Sequence, residues 1–319
     1  MAKFIPPNMG WIPDLPDARD YTARQPEIRR LLERLSPPES CELPDEVDLR
    51  GDEEGQYFPP AENQAALACS ASFAVLGLLT YFERRISGRV FDASPLFLYR
   101  ITRNLLGKGR SLGDSGADLR TTFKALQTIG VPPEEYWPYD ENLVDSEPSS
   151  FVYGLAKPQT ALRYFRLDAC NTDACNTDTR NTDAYSTGGR DPGHTGGGIW
   201  NTLRSFLAAG FPVAFGFSVP SSLSSDAQIP YRGELDAVRG GQAAVAVGYK
   251  LDYFGRRRHA LRIRSSWGTK WGDQGFGWLP TAYLSAHLAR DFWTVLSERW
   301  VDTKELTRPL LSAADVAAE

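Results

Sequence analysis

The stretch NQAALACSASFAVLGLLTYFERR, Asn63 to Arg85, decides how this chain folds. From Ser70 to Phe82 its residues are apolar nearly all the way round, which predicts a helix buried on every side rather than one lying on a surface. Charge returns at Glu83, Arg84 and Arg85, where the helix should emerge. At its start a thiol, Cys69, adjoins a hydroxyl, Ser70, a short distance after Gln64. Both are candidate nucleophiles, and the rest of the sequence has to say whether a base can reach them.

Downstream, SPLFLYRITRNL (from Ser94) and ADLRTTFKALQTIG (from Ala117) predict further helices, the second closed by Gly130 and then Pro132 and Pro133. Beyond Tyr139, FPVAFGFSV (from Phe211), AAVAVGYK (from Ala243) and ALRIRSS (from Ala260) are short and rich in β-branched and aromatic residues, as strands are. In the last of them Leu261, Ile263 and Ser265 share one face and Arg262 and Arg264 the other, so an inward Ser265 goes with outward arginines. Upstream, Pro6, Pro7, Pro13 and Pro16 predict an extended arm over residues 1–24. Ile28, Leu31, Leu32 and Leu35 then form one helical stripe opened by Pro26.

The expected organisation is an arm and short helix over 1–42, a helical lobe over 43–140, a β lobe over 141–300 and a tail over 301–319. An insertion at about 168–198 interrupts the β lobe. NTD recurs there at Asn171, Asn176 and Asn181 with almost no apolar residue to bury, which predicts a solvated low-complexity segment.

The 319 residues, 42% of them apolar, suffice for a sizeable core. A net charge of -5 supplies no electrostatic reason to bind nucleic acid or an acidic membrane. Arg256, Arg257 and Arg258 read as a solvated turn. Prolines break up the start of the chain and no later run is long enough to span a bilayer, so a cytoplasmic protein without membrane insertion is expected. Cys41, Cys69, Cys170 and Cys175 are too few and too scattered for a disulfide framework. The loose spacing of Cys170, Cys175 and His194 does not define a metal site, and no cofactor is expected.

Several motifs stand in the order of one known family: VDLR (Val47 to Arg50), Gln64 followed by SASFA, SPLFLYR, DSGADLRTTFKAL (from Asp114), EEYWPYD (from Glu134), PVAFGF, GGQAAVAVGY (from Gly240), SSWGTKWGDQGFGWLP (from Ser265) and DFW (Asp291 to Trp293). Together they resemble the papain-like cysteine peptidases of bacterial type over roughly Leu43 to Trp293. The resemblance implies an α+β fold, with a helical lobe, an antiparallel β-barrel-like lobe and a cleft between them framed by Gln64 and Trp267. It also implies where the family's chemistry should stand. Counting from Gln64 or back from Phe73 puts the nucleophile at Ser70, counting six residues back from Gly248 puts the base at Gln242, and the position before Ser266, Trp267 and Gly268 puts the orienting asparagine at Ser265. Ala65 and Ala68 stand where the family has glycines.

Those residue types remove the chemistry. A serine hydroxyl needs a base even more than a thiol does, and a glutamine amide takes up no proton near neutral pH. Loss of the base alone costs a serine hydrolase about 10⁶ in kcat. Ser70 and Gln242 are expected to form a hydrogen-bonded pair without general-base catalysis, so no catalytic residue is expected and the chain reads as a pseudo-peptidase that acts by binding. Gln64, Ser70, Gly116, Gln242, Ser265 and Trp267 would line a cleft for a protein or peptide partner or for the chain's own N-terminal arm, in a scaffold or a subunit of a larger assembly. The competing reading is residual hydrolase or acyl-transferase activity through Ser70 or Cys69, with His194 or a partner as base. Successive helical side chains are turned by about 100°, so Cys69 should point away from a cleft that Ser70 faces. His259, on the strand of Ser265, and His287, in a helical stretch, are out of reach.

Because loop length enters stability logarithmically, replacing Asn171 to Thr187 by a short Gly-Ser bridge should leave the thermal unfolding midpoint almost unchanged. A collapsed far-ultraviolet circular dichroism signal would mean that the repeat is packed.

Overall fold

Helix α2 (Ser70–Ser87) is the centre of the molecule. The computed structural model describes residues 9–35, 43–51, 57–89, 91–107, 113–160, 162–168, 197–231, 236–303 and 306. Cys41, Cys170, Cys175, His194 and the NTD repeat lie outside them. Every residue of α2 from Ser70 to Phe82 is buried, and Gly88 ends the helix at φ 64°, its N–H returned to the Arg84 carbonyl. A helix without a polar face needs cover on all sides. α3 (Pro95–Leu105) and α4 (Leu119–Thr128) supply part of it, their starts fixed by Ser94 and Asp118, which accept hydrogen bonds from the Phe97 and Thr121 N–H groups. The short helix α1 (Pro26–Leu35) buries Ile28 and Leu35.

A seven-stranded sheet supplies the rest. Its strands are β1 (Glu46–Asp48), β2 (Leu162–Arg166), β3 (Val213–Pro220), β4 (Val238–Lys250), β5 (Ala260–Arg264), β6 (Phe276–Pro280) and β7 (Ala289–Ser297). They run β2-β7-β3-β4-β5-β6, with β1 on the far end of β4, and every pair is antiparallel. Register shifts at Val219/Pro220, Ala214/Gly216 and Ala246/Gly248 mark bulges that bend the sheet. The end strands β2 and β6 do not pair with each other. The edge of β2 is met instead by the N-terminal arm, where Thr22 bridges Arg166 in parallel and the Arg166 N–H donates to the Tyr21 carbonyl at 2.7 Å.

Several features differ from the sequence expectation. β1 places sheet residues at the start of the expected helical lobe, because a three-residue strand is too short to show a period. α5 (Ser150–Leu155), α6 (Gly197–Ala208) and α7 (Ala282–Ser285) lie within the expected β lobe. Arg262 and Arg264 are not solvated outward residues. Arg262 is buried over the Trp278 ring and pairs with Asp273 at 2.6 Å, while Arg264 pairs with Glu62 at 2.5 Å and lies over Phe58. The alternation of β5 is therefore between two buried faces. Nor is His287 helical; it follows α7 at φ 54°.

The boundary expected at 301 falls inside α8 (Glu298–Asp302), whose Trp300 and Val301 are buried. The Trp300 ring stacks on Phe82 of α2 with centroids 4.6 Å apart. No helix among the described residues is long and apolar enough to cross a membrane. Trp300→Ala should cost about 3–5 kcal/mol in urea denaturation at an unchanged m-value, the loss of a buried aromatic side chain. A loss under about 0.5 kcal/mol would fit a solvated tail instead.

Candidate functional site

The N-terminus of α2 meets the middle of β4, and a small polar network forms where they touch. Gln64 lies on the approach to α2, held by its N–H to the Ser266 carbonyl at 2.9 Å. Its Nε2 donates to the Leu67 carbonyl at 2.7 Å, and its Oε1 accepts from Gln242 Nε2 at 2.8 Å and from Ser266 Oγ at 2.6 Å. The opposite amide orientation would set two carbonyl oxygens together. Gln242 Nε2 also reaches Ser266 Oγ at 3.1 Å. All four side chains of the group Gln64, Ser70, Gln242 and Ser266 are buried.

Ser70 joins this group through the backbone. Its Oγ accepts from the Ala243 N–H at 3.1 Å, and no hydrogen bond links it to the Gln242 side chain. The expected Ser70–Gln242 pair is thus replaced by Ser70–Ala243, because the Gln242 amide is already turned to Gln64 and Ser266. Ser265 Oγ and Gln242 Oε1 are buried without a hydrogen-bond partner, so Ser265 does not orient Gln242; its neighbour Ser266 does. Trp267 is buried against Phe217 and Trp271, behind the network. Among the described residues no side chain accepts a proton from Ser70.

Cys69 faces elsewhere. It is fully buried, its Sγ 3.0 Å from Tyr139 Oη, which donates in turn to the Gln64 carbonyl at 2.6 Å. Burial pushes this thiol well above the ordinary cysteine range. His259 accepts from the Asp252 N–H and stacks on Trp200 at the far end of β5, remote in the chain's layout from α2. Ala65 holds the left-handed conformation at φ 48°, supported by its N–H to Asn63 Oδ1.

The cleft beside this network is filled by the arm. Ala117 N–H donates to the Gly10 carbonyl at 2.8 Å, Ile12 N–H to the Ala117 carbonyl at 3.0 Å, and Trp11 N–H to the Gly241 carbonyl at 2.9 Å. One extended segment is thereby bonded to the loop before α4 and to β4 at once. The Gly116 edge of that loop is set by Tyr99, whose hydroxyl accepts from the Gly116 N–H and donates to Asp114. Glycines make the fit possible: a Cβ at Gly216 would lie 1.8 Å from the Trp11 ring, and one at Gly10 would lie 1.7 Å from the Ala68 carbonyl oxygen. Trp11 is left 6% exposed. Sequence reasoning singled out Gln64, Ser70 and Gln242, which the fold brings together, and Gly116, which lies against the arm at Gly10 and Ile12, but missed Ser266, Tyr139 and the glycine slot. Proline spacing marked the arm as extended, and only the tryptophan within it hinted at a docked anchor.

No family model matches the chain. An uncharacterized peptidase C1-like protein of Acanthamoeba polyphaga mimivirus is 26% identical over 331 aligned positions, covering 98% of this chain and 92% of that protein. Xylellain, a cysteine protease from Xylella fastidiosa, is 27% identical with a TM-score of 0.64, covering 93% of this chain and 99% of that one. Over nearly its whole length the chain is similar to papain-like peptidases. The family fold extends to more distant structures, such as the procathepsin L2 proteinase of Tenebrio molitor larval midgut, 18% identical with a TM-score of 0.60 over 91% of this chain and 78% of that one. Within that papain-like fold, Cys69 is packed as a core residue. Iodoacetamide at pH 8 should leave Cys69 unmodified in the native protein and modify it in 8 M urea, read by peptide mass spectrometry. Native labelling at Cys69 as fast as that of a free thiol would contradict the buried geometry.

Proposed function

We propose that this chain is a catalytically inactive papain-like pseudo-peptidase whose cleft binds extended peptide segments, with its own arm as the resident ligand. The observation that carries the reading is the hydrogen bonding of Gly10 to Ile12 across the cleft, to Ala117 on one side and Gly241 on the other. Main-chain bonds supply affinity for any extended segment, and a pocket beside them supplies selectivity. Here the pocket lies against Gly216 and Gly241 and holds an indole, and Ala68 presses on the residue before it. A competing ligand would therefore present tryptophan preceded by glycine. On this reading the cleft serves a protein or peptide partner, in a scaffold or an assembly.

The absence of chemistry follows from the positions themselves. Ser70, Gln242 and Ser265 stand where the family's nucleophile, base and orienter are expected, and the Ser70 hydroxyl accepts a backbone N–H while no base among the described residues faces it. Gln64, the family's oxyanion donor, turns its Nε2 to Leu67 and its carbonyl toward Gln242. Among the described residues no side chain is placed to take a proton from Ser70, and the Gln64 amide is engaged by Leu67 and Gln242, which supports a cleft without general-base catalysis.

The test is a Trp11→Ala chain, in which the arm has lost its indole and the pocket for it stands empty. It should bind a fluorescent peptide of sequence NMGWIPD in an anisotropy titration, and adding Gly216→Ala should weaken that binding at least about tenfold, since a methyl group takes the place of the indole. The same Trp11→Ala chain should hydrolyse neither peptide nor ester substrates above a blank, and a serine-directed phosphonate should leave Ser70 unlabelled. Turnover or stoichiometric labelling of Ser70 would establish the hydrolase reading in place of this one.

A further inference from the structure

Beyond Trp11 the arm has a second anchor, and its charges do not balance. Asp14 and Asp20 of the arm, Asp168 after β2 and Asp291 of β7 converge on Arg166 of β2 and Arg120 of α4. Arg166 Nη1 lies 2.5 Å from Asp14 and 3.5 Å from Asp20, its Nε lies 2.9 Å from Asp168, and its Nη2 donates to Asp291. Arg120 pairs with Asp20 at 2.6 Å and comes within 3.5 Å of Asp14. The Asp14 N–H donates to Asp291 Oδ2 at 3.0 Å, which ties the arm directly to β7.

The other charged groups nearby do not correct the imbalance: Arg19 of the arm, which also feels Asp20, is exposed and is matched by Asp17 at 2.6 Å. Asp118, the cap of α4, adds negative field at Asp14, and Arg290 turns away to donate to the His287 carbonyl. The side chains of Asp14, Asp20 and Asp291 are 8%, 4% and 0% exposed. Four carboxylates thus face two guanidiniums, with Asp14, Asp20, Asp291 and Arg166 withdrawn from water and Asp168 and Arg120 at the rim. Asp14 Oδ2 is buried with no hydrogen-bond partner, where an ionised oxygen is least tolerable and a proton is best placed.

Resting on the reading of the cleft as a peptide groove closed by its arm, we propose that the Asp14 and Asp291 carboxyls form an acid-closed latch, in which a proton held by the pair keeps the arm docked and its release to solvent as pH rises frees the groove. Burial is the largest cause raising both carboxyls, and the Asp14 charge adds to it at Asp291, against the opposing pull of Arg166. Asp291 is pushed up to about 7. With the arm free, Asp14 is solvated and titrates in the ordinary range near about 4. Between roughly pH 4 and 7 the docked state therefore holds more protons than the free one. Docking is strongest at the acid end of this window, weakens as pH rises through it, and stays weak above.

Hydrogen exchange of the full chain, resolved to the Trp11 and Ile12 amides and corrected for intrinsic exchange at each pH, reads docking without any peptide ligand or turnover. Their protection should fall at least about tenfold between pH 5 and pH 7.5, one decade per pH unit being the most that a single proton taken up on docking produces. Asp14→Asn keeps an oxygen for Arg166 and puts a neutral amide group where the unpartnered oxygen stands, and it lies on the arm rather than in the core. This variant should retain acid-level protection at pH 7.5. Trp11→Ala should lose it at every pH, which confirms that these amides report docking. Flat protection across the range in the native chain, or an Asp14→Asn profile as steep as the native one, would overturn the latch. Peptide binding by the Trp11→Ala chain is measured separately, so its failure would remove the groove reading while leaving the exchange result to stand or fall alone.

Discussion

The structure depends on one dehydrated helix. Thirteen consecutive residues of α2, Ser70 to Phe82, are withdrawn from water, and nothing in the sequence allows any face of that helix to be left open. Cover must come from several directions, and the chain supplies it from α3 and α4, from β3 and β4, and from α8 through the stacking of Trp300 on Phe82. The same requirement fixes the site. A helix buried along its length offers only its ends for polar work, and its N-terminal end meets β4 where Gln242 and Ala243 face Gln64 and Ser70.

The polar network there is neutral. Gln64, Gln242, Ser70 and Ser266 exchange hydrogen bonds without a formal charge among them, and the arm lies over the cleft beside them. Burying an ion pair in such a place costs several kcal/mol in desolvation for each ion, whereas amides and hydroxyls need only partners. Even so, Gln242 Oε1 and Ser265 Oγ go without. The buried carboxylates of the arm, Asp14 and Asp20, gather around Arg166 instead.

Much of the fold was legible because its signals are local. The all-round apolar run of α2, the Ser94 and Asp118 starts of α3 and α4, and the β-branched strands β3, β4 and β5 each announce themselves within a dozen residues. What the sequence hid depends on partners far along the chain. β1 is a strand only because β4 is long enough to receive it, and Arg262 and Arg264 are buried because Asp273 and Glu62 meet them there. At the site, family register led to Gln64, Ser70, Gly116 and Gln242. It did not foresee that Ser266 rather than Ser265 would hold Gln242, since adjacent residues on an extended segment face opposite ways and only the packing decides which one turns inward.

The arm's passage along β2 bears on the behaviour of the molecule in concentrated solution. β2 ends the sheet, and at Arg166 its outer edge is met by Tyr21 and Thr22. An unpaired sheet edge is a template for strand addition from another chain. A version cut after Thr22 would keep its helices and its core yet bare that edge, and its colloidal stability would then rest on what next lay against Arg166. Covering that end of the edge is a service the arm renders along with filling the cleft, so one segment both packs beside the site and blunts a template for strand addition.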